Sequence, residues 1–231
     1  SFISSFTGSH RFILDYLIEQ VLQRQPAHVQ EFLLNTSILD HFTASLCDVV
    51  TGRNDSQMIL EQLERANLFL ISLDDVRRWF RYHNLFADVL HSLLKSAKAR
   101  QILELHHRAA GWYENNEMYV DAIEHSLLAT DWDRAARLIE QVSLPVVNQT
   151  QAKTLLGWIS IIPETILLTR PSLQIIKALA LMLLKRFEES QNCLESVEQN
   201  LQFNTSLLNE KVSVLLGEVA TARSVLARLL G

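Results

Sequence analysis

Asn67-Leu-Phe-Leu-Ile-Ser-Leu-Asp-Asp-Val-Arg-Arg-Trp-Phe-Arg-Tyr-His83-Asn-Leu-Phe86 is nearly the only stretch of this chain that reads as β-structure. Phe69, Ile71 and Leu73 alternate with other residues, Asp74-Asp75 supply a turn, and Arg78 to Tyr82 form the return strand. Strand side chains point alternately to opposite faces, so Trp79 and Arg81 should share one side and Phe80 and Tyr82 the other. Helical patterns flank the hairpin on both sides, and His83 stands directly before the next helix. A lone hairpin between helices is the outline of a winged-helix domain, so the chain reads as mainly α.

Upstream, Ser9 should cap an amphipathic helix over residues 9–24 whose apolar positions are Ile13, Tyr16, Leu17 and Val21. Pro26 suits the first turn of a second helix carrying Val29, Phe32 and Leu33. Thr43 or Ser45 opens a third helix with Leu46, Val49 and Val50 inward, stopped near Gly52. Asp55 or Ser56 caps a fourth with Ile59, Leu60 and Leu63. Beyond a charged junction at residues 95–100 a motif recurs in which a large residue opens a helix and a small one follows three positions later. It appears as Tyr119/Ala122, Trp132/Ala135, Phe187/Ser190 and Val219/Ala222. The small residue lets a neighbouring helix approach to roughly 8–10 Å. Stacked helical hairpins of this kind form solenoids, with units on the order of 34 residues in the tetratricopeptide (TPR) type.

The 231 residues, 48% of them hydrophobic, suffice for two packed domains, and only 6 Gly and 4 Pro favour helices with short turns. A net charge of −5 and a pI near 5.9 oppose a dedicated nucleic-acid surface. The fourth helix would be the reading helix, yet its exposed positions include Glu61 and Glu64, which phosphates would repel. No direct nucleic-acid contact is expected. Cys47 and Cys193 sit far apart in apolar helical patterns and read as reduced core thiols in a cytoplasmic protein. The longest apolar run, Ala178–Leu184, is too short to span a bilayer.

Chemistry is sparse. The sequence has no G-x-x-x-x-G-K-[ST] loop and no G-x-S-x-G elbow, so no catalytic residue is assigned. His106-His107 and His125 lack ligand-spaced carboxylate or cysteine partners, and no metal is expected. Glu188-Glu189 and Asp131/Asp133 fall at helix starts, where acids favour the dipole. Trp112, Tyr113 and Trp132 fit either an inter-repeat core or a sensor groove. His83 fits either a helix-start residue bonded to backbone or a ligand contact, because helix N-termini attract anions.

A resemblance decides between some of these readings. Phe6-Thr-Gly-Ser-His-Arg-Phe-Ile-Leu-Asp-Tyr-Leu17, Phe32-Leu-Leu-Asn-Thr-Ser-Ile-Leu-Asp40, Leu46-Cys-Asp-Val-Val-Thr-Gly52, Leu63-Glu-Arg-Ala-Asn-Leu-Phe-Leu70 and Trp79-Phe-Arg-Tyr-His-Asn-Leu-Phe-Ala-Asp88 together resemble the middle region of MalT-like regulators. These are the large ATP-dependent LuxR-type transcription regulators, signal-transduction ATPases of the STAND type. Ala110-Gly-Trp-Tyr113, Asp121-Ala-Ile-Glu-His125, Ala135-Ala-Arg-Leu-Ile-Glu140, residues 158–163 and Arg170-Pro-Ser-Leu173 extend the likeness.

The resemblance implies a linking helix from a nucleotide-binding region at 1–25, a winged helix at 26–96 and part of a TPR-like sensor at 97–231. It implies that ATP or ADP is bound by a parent protein and that this segment holds no cofactor. Its partners would be the nucleotide-binding and C-terminal DNA-binding domains of the same protein, with an inducer or regulatory protein. His83 falls where related nucleotide switches place a phosphate-contacting histidine, with Asn84 in place of the usual acid. Arg77, Arg78 and Arg81 of the wing would face the neighbouring domain. Lys185-Arg186 departs from the Gly-containing turn common in such repeats. A chain starting at Ser1 without methionine agrees with a regulatory fragment. The alternative is a stand-alone helical-repeat scaffold for partner proteins.

Overall fold

A computed structural model describes residues 16–97, 99–142, 149–203 and 209–230. The Ser9 cap and Ile13 lie outside these. The chain divides into two compact units, Ser1–Glu117 and Met118–Gly231.

The first unit starts with a short π-helical turn, α1 (Leu17–Leu22), whose wide winding lets the Gln23 N–H donate to the Ile18 carbonyl five residues back at 2.9 Å. Leu17, Val21 and Leu22 are buried, whereas Tyr16 is 57% exposed, against the expectation that it faces inward. The extra residue per turn rotates the buried stripe past it. Helices α2 (Ala27–Thr36), α3 (Ala44–Thr51) and α4 (Ser56–Arg65) follow, then β1 (Leu70–Ser72), β2 (Phe80–Tyr82), α5 (Asn84–Ala97) and α6 (Ala99–Asn115). Pro26 precedes α2, in the extended conformation that its ring favours. The Thr43 side chain caps α3 by accepting from Leu46 N at 3.2 Å. Asp55 does not cap α4 with its side chain, because its carboxylate is held in a fork by Arg53 at 2.7 and 2.6 Å. Asp48, on α3, instead accepts from Ser56 N at 3.0 Å.

The hairpin pairs antiparallel with Leu70 opposite Tyr82, Ile71 opposite Arg81 and Ser72 opposite Phe80. Phe80 and Tyr82 are buried and Arg81 is half-buried, as the alternation requires. Phe42 adds a third, single-residue rung, exchanging two 2.8 Å backbone bonds with Phe80. Phe32, Leu33, Leu46, Leu60, Leu63 and Leu90 are fully buried beneath this layer, each contributing about 1.5–3 kcal/mol from apolar burial. Val49, expected inside, is 44% exposed. Helix α6 packs on α3 and α5, beyond position 96 where the sequence pattern closes the winged helix. Tyr113 Oη donates to the His41 carbonyl at 3.0 Å and Arg108 donates to the Val50 carbonyl at 3.3 Å.

The second unit contains α7 (Tyr119–Leu128), α8 (Trp132–Val142), α9 (Gln149–Ile161), α10 (Glu164–Leu168), α11 (Pro171–Leu183), α12 (Phe187–Phe203) and α13 (Asn209–Leu230). It is built from antiparallel helical hairpins, most tightly α7 with α8 and α11 with α12. Tyr119, Trp132 and Phe187 each open a helix, and Ala122, Ala135 and Ser190 three positions on are fully buried. Val219 departs from the pattern: it lies inside the long α13, although Ala222 is buried. Two positions before each aromatic opener stands a residue in the left-handed region, Glu117, Thr130 and Lys185, with φ of 60°, 56° and 60°. At the last two, the following amide reaches five residues back, Asp131 N to Ser126 O and Arg186 N to Leu181 O, each at 2.9 Å. The protein is therefore mainly α, a winged helix with one hairpin followed by helical hairpins. Among the described residues no helix is long and apolar enough to cross a membrane.

Candidate functional site

The junction between β2 and α5 is assembled from three short pieces of chain. Tyr82 anchors it from below: its hydroxyl lies 2.7 Å from Thr36 Oγ1, and both residues are buried. Burial holds the Tyr82 phenol neutral, well above its ordinary range. The Tyr82 ring packs against Phe42 at 4.8 Å and edge-on to Phe86 at 5.9 Å. One residue on, the His83 carbonyl accepts from Ala87 N at 3.0 Å, so His83 is the residue from which α5 starts. Its side chain is exposed.

The third piece is the turn after α4. Asn67 and Phe69 both have positive φ, 50° and 53°, which is costly for an aromatic residue. This conformation aims the Phe69 carbonyl at the His83 amide, 2.8 Å away, and sets the two rings edge to face at 6.4 Å. Phe69 also packs on Phe86 at 5.3 Å. Sequence reasoning missed this role for Phe69, since nothing in a Phe signals a left-handed backbone.

Asn84 accepts from Arg81 Nη1 at 2.7 Å, so the position where the resemblance implies an acid is occupied by an acceptor already engaged. The three wing arginines do not form one patch. Arg77, itself at φ 52°, turns toward Glu64 of α4 at 3.4 Å. Arg78 uses its backbone N–H on Asp74 at 2.7 Å and leaves its side chain exposed. Arg81 belongs to the junction.

Trp112 and Tyr113 lie in the first unit and Trp132 in the second. Tyr113 is 1% exposed, and Trp112 meets Trp79 edge to face at 6.3 Å. Trp132 is half-buried at the start of α8. His106 and His107 point in different directions, as adjacent helical residues must. His107 is exposed, whereas His106 is buried and its pKa is depressed to about 4 by burial, with a smaller contribution from His91. His125 is buried in the second unit. Of the acidic pairs, Asp133 meets Arg170 at 2.9 Å, and the same guanidinium reaches Glu140 at 3.2 Å. Glu189 is forked by Arg186 at 2.6 Å, which lowers its pKa.

Residues 18–102 match the MalT winged helix domain family. The chain is 32% identical over 199 residues to the serine/threonine-protein kinase PknK of Mycobacterium tuberculosis, covering 86% of this chain and 18% of that protein. It is 31% identical over 199 residues to the HTH-type transcriptional regulator MalT of Klebsiella pneumoniae, covering 86% of this chain and 22% of that protein. To MalT of Vibrio parahaemolyticus it is 29% identical over 198 residues, covering 85% and 22%. The chain thus spans about a fifth of the length of these relatives. The winged-helix geometry and these matches converge: residues 18–102 match a MalT winged helix domain, and most of the chain is similar to a segment found in MalT regulators and in PknK.

Proposed function

We propose that this chain is the relay segment of an ATP-dependent transcription activator, passing the state of a helical sensor to a nucleotide switch. The observation that carries the reading is the pair of relatives: 86% of the chain matches a protein kinase and 86% matches an HTH-type regulator, so most of it is common to both. A region shared by proteins with different outputs is better suited to regulation than to either output. In this reading the chain is not itself an enzyme, acts in the cytoplasm, and binds neither metal nor nucleotide alone.

His83 is the contact to an ADP phosphate held by the parent protein's nucleotide-binding domain. Its support is geometric: an exposed imidazole at the start of α5, beside first-turn amides that lack intrahelical acceptors. Arg78 supplies an exposed charge toward the same neighbouring domain. The second unit, read as TPR-like, senses an inducer or a regulatory protein and shifts the population toward the ATP-bound form. That shift is bounded by the difference in affinity of the inducer for the two states. Direct DNA reading by α4 is disfavoured because its polar face is occupied internally: Gln57 and Arg65 both engage Glu61, and Glu64 engages Arg77.

In the full-length parent protein, His83→Ala should speed ADP release and raise basal activation, the packing given up by this exposed side chain being its edge-to-face contact with Phe69. Unchanged ADP release in that variant removes His83 from the switch. Titration of ADP into the 231-residue chain should show no saturable binding at micromolar concentrations; saturation there would move the phosphate site into this chain.

A further inference from the structure

The end of α4 accounts for one left-handed residue and leaves a second to be explained. Past Ala66, Asn67 N donates to the Glu64 carbonyl and Leu68 N to the Leu63 carbonyl, each at 3.0 Å. That pair of bonds closes a helix on a left-handed residue, and Asn67, with φ of 50°, is that residue. Asparagine adopts this conformation more readily than most side chains. Phe69 lies beyond the helix end and still holds φ of 53°. For an aromatic residue this is strained, and such strain persists where the surroundings over-determine it.

The strand register shows what the conformation accomplishes. Leu70 faces Tyr82, so the same register sets Phe69 opposite His83. Opposed residues carry their side chains on one face, which is why the two rings meet edge to face at 6.4 Å. The rung between them is only half made. His83 N donates to the Phe69 carbonyl at 2.8 Å, but Phe69 N turns back to the Asn67 carbonyl at 3.0 Å. The His83 carbonyl is thereby released to accept from Ala87 N at 3.0 Å and open α5. Phe69 is itself seated on the buried Phe86, with ring centroids 5.3 Å apart. His83 is thus pinned through both backbone groups and carries an exposed imidazole against a seated ring.

We propose that Phe69 is a positioning residue for His83, its ring holding the imidazole in one rotamer. The use made of that rotamer rests on the reading of His83 as the phosphate contact; the ordering itself is a property of this chain. A side chain already ordered gives up less freedom on binding, an advantage of roughly two- to tenfold in affinity.

Two experiments separate the ordering from its use. In the 231-residue chain, NMR couplings across the His83 Cα–Cβ bond should report a single rotamer. Phe69→Leu should average them, and Phe69→Tyr should keep them. Leucine retains apolar contact with Phe86 and leaves the backbone strain unchanged, so an unmoved thermal transition is expected. In the full-length parent protein, Phe69→Leu should speed ADP release by roughly two- to tenfold. Phe69→Tyr should restore slow release, and Phe69→Leu should add nothing once His83 is replaced by alanine. Averaged couplings before any substitution, or couplings indifferent to Phe69→Leu, would overturn the proposal. An equal effect of Phe69→Leu with and without the His83 imidazole would also overturn it, because packing alone acts in both backgrounds. If His83→Ala leaves ADP release unaltered while the couplings still respond to Phe69, the relay reading fails and the positioning of the ring stands.

Discussion

His106 should make the first unit acid-labile. The residue is 3% exposed on α6, and burial depresses its pKa from 6.5 to about 4. A depressed value means the folded state refuses a proton that the unfolded chain accepts. The stability tied to the neutral imidazole is therefore present above pH 6.5 and is lost as pH falls toward 4. Two-state linkage with these values gives a loss of about 2 kcal/mol by pH 5 and about 3 kcal/mol by pH 4, relative to pH 7. Urea unfolding would be followed by fluorescence in a Trp132→Phe/Trp158→Phe background, where Trp79 and Trp112 report on the first unit alone. His106→Gln should unfold with a pH dependence flatter by about 2 kcal/mol between pH 7 and pH 5. Parallel curves for the two proteins would refute the burial argument, because the difference between them isolates this one group.

Lys185→Gly should stabilise the second unit by roughly 0.5–1 kcal/mol, because φ of 60° strains a lysine and not a glycine; a lowered melting temperature would contradict this. Tyr82→Phe should cost about 1 kcal/mol, since Thr36 keeps its 2.7 Å bond to the Phe32 carbonyl and nothing is orphaned. Thr36→Val alone should cost more, roughly 1–3 kcal/mol, because it strands the buried phenol. In urea titrations the double variant should lose less than the sum, and strict additivity would argue against the bond.

The legible parts of this fold were those where a side chain's own chemistry sets the local structure. Pro26, Thr43 and Gly52 mark helix boundaries because each imposes or satisfies a backbone condition. Tyr119, Trp132 and Phe187 mark helix starts through their pairing with a buried small residue. The alternation of Phe80, Arg81 and Tyr82 gave the faces of the return strand. What stayed hidden depends on partners distant in sequence. The Phe42 rung is one residue long and leaves no periodic trace. Asp48 caps a helix eight residues on, while Asp55, the better-looking cap, is diverted to Arg53. Tyr16 fits a 3.6-residue stripe but not the wider π-helical turn. At the candidate site His83 was visible from the resemblance. The left-handed Phe69 that holds its amide was not.

The Phe42 rung makes the wing part of a mechanical linkage. Two backbone bonds lock Phe80 to Phe42, and the adjoining His41 carbonyl is gripped by the Tyr113 hydroxyl of α6. Tension on the hairpin is thus transmitted to α6 through three bonds and one peptide unit, with no flexible side chain in the first two steps. A hairpin wired in this way behaves as a lever arm rather than a loose flap, and displacing it requires the α2–α3 connection to travel too.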